Sequence, residues 1–251
     1  MKLYTILLIA FTAIMISCKT EKTEVVSVDT ARITIDSSLE EDAQISEFIQ
    51  PYKQHLNATL DSTLVHNPNL LSKSDGDLNT AIGNLMADAV YIQANPVFKR
   101  KTGKEIDMVL LNHGGIRAEI PAGNVTSRTA YEIMPFENEI VVAELTGKKI
   151  KQMLKYLEKA KTAHPVSGIK ILVDRNYRTI NATINGSEIK DDKTYFVATS
   201  DYLVNGGDNM VFFKNAKSLH NTDYKIRNAM IDYFKKIDTI KAKIDDRYLR
   251  N

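Results

Sequence analysis

Cysteine, net charge and long apolar runs are what this sequence has least of. A single cysteine, Cys18, stands among 251 residues, so no disulfide can form within the chain. Thirty-three lysines and arginines face 31 aspartates and glutamates, for a formal net charge of +2. No field of one sign builds up to attract a polyanion, which argues against a nucleic-acid partner. No apolar stretch reaches the ~20 residues that a membrane-spanning helix needs. The five histidines, His55, His66, His113, His164 and His220, form no Asp-x-His, His-x-His or His-Glu-x-x-His pair. A two-metal phosphatase needs several such ligands converging, so no metal centre is legible in the chain. There is no Walker loop, no serine nucleophile elbow and no internal repeat.

The composition is otherwise that of a folded protein, 43% hydrophobic and 25% charged, and the length suits one large domain or two small ones. The N-terminus carries an address. Lys2 precedes an apolar run over 3–16 that only Thr5 and Thr12 break, followed by Ser17 and Cys18. A basic residue, a short apolar stretch and a small residue before the cut describe a secretory signal peptide. Met15-Ile16-Ser17-Cys18 is similar to a bacterial lipobox, with methionine where leucine is usual. The expectation is a signal peptide over 1–17, lipidation at Cys18, a polar tether over 18–38 and a domain over 39–251. Such a protein is an exported lipoprotein, anchored to a membrane and facing the periplasm or the outer membrane. With Cys18 under lipid, no thiol is left for catalysis.

Spacings of three and four among Ile45, Phe48, Ile49, Tyr52, Leu56 and Leu60 predict a helix over 39–60, with His55 on its surface. A second helix is expected over 80–94, ended by Pro96. The apolar run 106–111 suits a strand buried on both faces, and strands are expected at 139–145 and 195–199. Helices are expected at 148–161 and 223–236. Alternation at Ile169, Ile171 and Val173, and again at Ile180, Ala182 and Ile184, reads as two strands, and Asn185-Gly186 as a tight turn. Residues 241–251 read as a charged tail. The fold class is a single α/β domain, α+β-like in its mixed sheet, with layered helices and sheets.

Three loops can carry chemistry. Asn112-His113-Gly114-Gly115-Ile116-Arg117 follows a buried strand; its glycines admit a ligand close to the backbone and its arginine suits phosphate. It reads equally as a tight turn with a surface arginine. In 200–209, Tyr202 precedes Asp208 across Gly206-Gly207; a ring stacks on a base and a carboxylate accepts from a ribose diol. The same residues also read as a core tyrosine and a turn aspartate. Pro135 holds the chain extended before Phe136, which by itself also suits a core residue.

Taken in order, Gly83-Asn84-Leu85-Met86-Ala87-Asp88-Ala89, the 112–117 loop, Pro135-Phe136-Glu137-Asn138, Leu145-Thr146-Gly147, Ser167-Gly168 and Tyr202-Leu203-Val204-Asn205-Gly206-Gly207-Asp208 resemble the C-terminal domain of the 5′-nucleotidase family. The resemblance covers about 71–234. It implies that Phe136 and Tyr202 sandwich a base and that Asp208 accepts from ribose hydroxyls. It further implies that Arg117 and Asn112, with Gly114 and Gly115 beside them, meet phosphate oxygens, and that Asn138 and Gly168 lie at the base edge. Tyr202 stands where phenylalanine is commoner. His113 replaces a third glycine, where it crowds the ligand, adds a polar contact or is simply an exposed turn histidine. An arginine usual before the Gly-Asn-Leu segment is absent, with only Lys73 in 72–82. In that family a separate N-terminal metallophosphatase domain holds two metal ions and cleaves the phosphate, in nucleotide catabolism. With no cofactor expected in this chain, the resemblance implies a nucleotide- or nucleoside-recognising half. Two divalent ions and the hydrolytic chemistry then belong to a separately encoded metallophosphatase. The alternative is a lipoprotein that binds nucleosides or nucleotides without catalysis.

Overall fold

The structure is a computed structural model and describes residues 27–251; the expected signal peptide and Cys18 lie outside them. The described residues fall into two units that divide between Ile49 and Gln50. In the first, residues 27–35 carry no helix or strand and are exposed, as the polar composition there implies. Helix α1 is Ala43–Leu60. The expected apolar stripe is present, yet no residue of this helix is buried. No helix of the described residues is long and apolar enough to cross a membrane.

The second unit is a mixed α/β domain around a five-stranded sheet. Its strands are β2 (Met108–Leu110), β4 (Glu139–Thr146), β5 (Val166–Ser167), β9 (Thr194–Ser200) and β10 (Ser218–Lys225), in the order β10-β4-β9-β2-β5. Only the β2–β9 pair is parallel, with Met108 opposite Val197 and Val109 opposite Ala198. A four-stranded sheet, β11-β6-β7-β8, joins β6 (Ile169–Val173), β7 (Thr179–Ile184), β8 (Ser187–Glu188) and β11 (Tyr248–Arg250). The strands β1 (Thr63–Asn67) and β3 (Gly123–Thr126) pair by themselves.

Two apolar cores flank the five-stranded sheet, and the two-residue period of a strand divides side chains between them. Val109, Ile140, Val142 and Ala198 face one core, packed with helices α2 (Ala81–Thr102) and α6 (Ile226–Phe234). Met108, Leu110, Ala143, Leu145 and Val197 face the other, packed with α4 (Gly147–Ala160) and the four-stranded sheet. The unbroken apolar run before the 112–117 loop is thus a strand covered on both sides.

Three expectations are corrected. Helix α2 does not stop before Pro96; it runs to Thr102 and ends on Gly103, whose φ of 73° closes the last turn. Val90, Gln93, Ala94 and Phe98 continue the buried face past the proline, which sits on the exposed side. Residues 223–225 belong to β10 rather than to the last helix, and Asp223 takes a left-handed φ of 58° there. The charged tail is not loose, because Tyr248 is buried and β11 adds a parallel strand to β6. The Asn185-Gly186 turn has positive φ at both residues, 49° and 75°, as a tight hairpin requires. Helix α3, Ser127–Ile133, and the β1–β3 pair gave no periodic signal.

Candidate functional site

Eight of the nine binding residues expected from the sequence line one open cavity of about 650 Å³: Asn112, Gly114, Gly115, Arg117, Phe136, Asn138, Tyr202 and Asp208. That volume falls within the ~300–1,000 Å³ typical of small-molecule sites. Three separate strand ends deliver them. The 112–117 loop leaves β2, Phe136 and Asn138 precede β4, and Tyr202 opens helix α5 (Asp201–Val204) immediately after β9. Adjacent strands of one sheet therefore bring together segments far apart in sequence.

Gly168 goes elsewhere. With φ at 74°, it packs where a Cβ would stand 2.3 Å from the Asp107 carbonyl oxygen, and it lines a separate cavity of about 280 Å³ with Ser167 and Asn185.

Asp208 is the most heavily bonded group in the cavity. Its Oδ2 accepts from Asn112 Nδ2 at 2.8 Å and its Oδ1 from the Tyr202 hydroxyl at 2.8 Å. Its main-chain oxygen accepts from the Tyr156 hydroxyl at 3.0 Å. Gly115 is required by this arrangement, since a Cβ there would lie 2.9 Å from Asn112 Oδ1. The Arg117 guanidinium sits 5.9 Å from the centre of the Phe136 ring, at the edge of cation–π range. It also donates to the Gly114 carbonyl at 3.3 Å.

His113 is drawn away from the ligand side. Its backbone N–H donates to His164 Nδ1 at 3.2 Å, and its ring Nδ1 lies 3.2 Å from the Ala163 carbonyl oxygen. His164 is buried beneath the loop. Burial, helped by the neighbouring His113, pushes its imidazole down to about 4. Lys73 reaches the same loop by another route, donating to the Ile116 carbonyl at 3.2 Å.

Several contributors gave no local signal. Asp201 and Glu137 line the cavity, and Asp201 Oδ1 accepts from Asn138 Nδ2 at 2.8 Å. Arg227, only 3% exposed, donates to the carbonyls of Met134, Pro135 and Phe136 and pairs with Glu137. Its guanidinium also lies 4.0 Å from the Tyr131 ring centre. Glu137 pairs with Lys225 as well, and the two cations, Lys225 first, hold its carboxyl down at about 2.

A second cavity, of about 600 Å³, lies between the start of α2 and the 237–247 segment. Arg247, which lines it, is already paired with two carboxylates, Asp88 at 2.9 Å and Asp245 at 2.7 Å. Asp88 also accepts from Ser167 at 2.7 Å, and Asn84 donates to the Lys243 carbonyl at 3.0 Å. The 83–89 motif thus ties helix α2 to the C-terminal segment rather than to the first cavity. Among the described residues, no group of three or more His, Cys, Asp or Glu side chains is placed to hold a metal ion.

The fold is that of a mixed α/β domain with an open cavity at the ends of three strands. Residues 55–215 match the family described as 5′-nucleotidase, C-terminal domain, and the chain belongs to that family. A 5′-nucleotidase of Vibrio vulnificus is 29% identical over 191 residues, covering 70% of this chain and 31% of that protein. A cell wall protein of Listeria monocytogenes is 28% identical over 215 residues, 76% of this chain and 27% of its own. The solved 5′-nucleotidase precursor of Thermus thermophilus superposes with a TM-score of 0.69 at 25% identity, over 84% of this chain and 43% of that one. The chain therefore spans less than half the length of these relatives.

Proposed function

We propose that this chain is the nucleotide- or nucleoside-recognising half of a 5′-nucleotidase, with the metals and the bond cleavage supplied by a separate metallophosphatase. The observation that carries this reading is the convergence of Phe136, Tyr202, Asp208, Asn138 and Arg117 on one cavity. Two aromatic rings offer faces to a base, a carboxylate offers acceptors to a sugar diol, and an arginine fork offers donors to phosphate. None of these groups is an activated nucleophile. Stacking worth ~1–3 kcal/mol per base stabilises a complex without cleaving anything. On this reading two divalent ions are held on a partner that docks over the open cavity, as the resemblance to the family implies.

Export with a lipid anchor at Cys18 belongs to this proposal. The anchor rests on the Met15-Ile16-Ser17-Cys18 segment alone; export, without the anchor, is also supported by a relative named as a cell wall protein. Shared tethering would raise the effective concentration of the two halves.

The test is AMP hydrolysis with Mn²⁺ or Mg²⁺ by the purified chain alone and with a metallophosphatase encoded beside it. The expected result is binding without turnover alone and turnover on mixing. Turnover by the lone, metal-clean chain overturns the split-enzyme reading.

A further inference from the structure

The pairing of Tyr202 with Asp208 bears on which sugar this site takes. The Tyr202 ring lies against Gly207; a Cβ on that residue would stand 2.4 Å from Tyr202 Cε1 and 2.5 Å from Cζ. From that seat the hydroxyl donates to Asp208 Oδ1 at 2.8 Å and accepts from the Asp208 backbone N–H at 3.3 Å. Asp208 takes a left-handed φ of 49°, which turns its N–H and its carboxylate toward the same phenol oxygen. Oδ2 is already engaged by Asn112. Both carboxylate oxygens therefore carry a donor from the protein itself. Tyr202 is still 45% exposed, so its ring keeps a free face while its hydroxyl is committed.

We propose that the Tyr202 hydroxyl is a built-in competitor of sugar hydroxyls for Asp208. It makes the site accept nucleosides lacking the 2′ and 3′ hydroxyls nearly as well as ribonucleosides. The inference rests on the nucleoside-binding reading above. A ribose hydroxyl that takes the phenol's place on Oδ1 exchanges one O–H···O⁻ bond for another of the same kind, which is close to neutral, and one that shares Oδ1 with the phenol gains only the weaker second bond of an oxygen already engaged. A phenylalanine would leave Oδ1 open, and the diol would then gain a charge-assisted bond with nothing to displace. The ring does not have to move for this competition, because its seat on Gly207 is shaped to hold it.

The test is calorimetric titration of the full chain and of Tyr202→Phe with adenosine and with 2′,3′-dideoxyadenosine. The wild type is expected to bind the two within about threefold of each other. In Tyr202→Phe, adenosine tightens about tenfold, the scale of one hydrogen bond to a charged group, and dideoxyadenosine stays unchanged. Adding Asp208→Asn to that variant abolishes the gain. Unchanged adenosine affinity in Tyr202→Phe overturns the proposal, and so does an equal tightening of both ligands, which marks a freed ring rather than a freed carboxylate. Dideoxyadenosine binding by the wild type reports the nucleoside site independently of Asp208. If neither nucleoside binds either protein, the nucleoside-binding reading falls and takes this inference with it.

Discussion

Asn138 gives its side-chain amide nitrogen to Asp201, Nδ2 to Oδ1 at 2.8 Å, and the same carboxylate oxygen accepts the Tyr202 backbone N–H at 2.8 Å. An amide facing a carboxylate can point only one way, nitrogen inward, which leaves the carbonyl oxygen as its free acceptor. A base presenting an exocyclic amine suits that oxygen, and one presenting a carbonyl does not. Adenosine is expected to bind about tenfold more tightly than inosine, the scale of one hydrogen bond. In Asp201→Ala the amide is free to turn, and the ratio should collapse toward one. A ratio preserved in Asp201→Ala would remove the orienting role. Titration of both nucleosides against both proteins measures it.

On the proposed reading Phe136 takes the base and Arg117 the phosphate. The ring is 43% exposed with the guanidinium 5.9 Å from its centre, so a base arriving on that ring meets a cation rather than bulk water. Phe136→Ala is expected to weaken adenosine and AMP alike, by ~1–3 kcal/mol, or roughly five- to 150-fold. Arg117→Ala should weaken AMP far more than adenosine, and its effect should shrink with added salt. Equal losses of the two ligands in Arg117→Ala would detach it from the phosphate.

Local pattern carried the framework of the site and stopped where long-range bonds begin. The buried strand β2 and the Gly-Gly loop after it are legible because an apolar run and a glycine pair are properties of neighbouring residues. So are Phe136, Tyr202 and Asp208, through an ordered series of short motifs. Asp201 and Arg227 are not, because each acts on a residue 63 and 91 positions away respectively, and no spacing rule links them. Pro96 misled for a different reason: a proline in a helix interior costs one backbone hydrogen bond and a clash with the preceding turn, and here the buried face through Val90, Gln93, Ala94 and Phe98 carries the helix past it. Gly168 belongs to a recognisable motif, yet its positive φ and its closeness to Asp107 explain the glycine without a ligand.

Arg227 holds the Phe136 loop from below. One buried guanidinium serves the carbonyls of three successive residues, Met134, Pro135 and Phe136, and pairs with Glu137. Arg227→Met keeps the apolar volume but leaves those carbonyls without donors. It is expected to cost about 2–4 kcal/mol of stability by denaturant titration. Arg227→Lys should recover little, since Nη1 serves the three carbonyls while Nη2 pairs with Glu137, and one ammonium cannot occupy both places. A variant as stable as the wild type would show that the carbonyls find water instead.

His164 makes acid the weak side of this domain. Its imidazole is buried with Nδ1 accepting the His113 N–H, and its pKa falls from 6.5 to about 4, chiefly through burial. The folded state therefore resists a proton that the unfolded chain takes up readily. Between pH 6.5 and 4 the unfolded state binds more protons, so stability is full above about pH 6.5 and declines as pH falls toward 4. The difference amounts to about 3 kcal/mol if this residue alone is responsible. Glu137 acts lower: its carboxyl is held at about 2 against an ordinary 4.5, so its contribution is lost only below pH 4.5. His164→Asn keeps an acceptor for the His113 N–H and removes the titration. Its unfolding free energy, followed by urea titration across pH 7 to 4, is expected to stay nearly flat down to pH 5 while that of the wild type drops. Parallel curves for the two proteins would assign the acid sensitivity to another group.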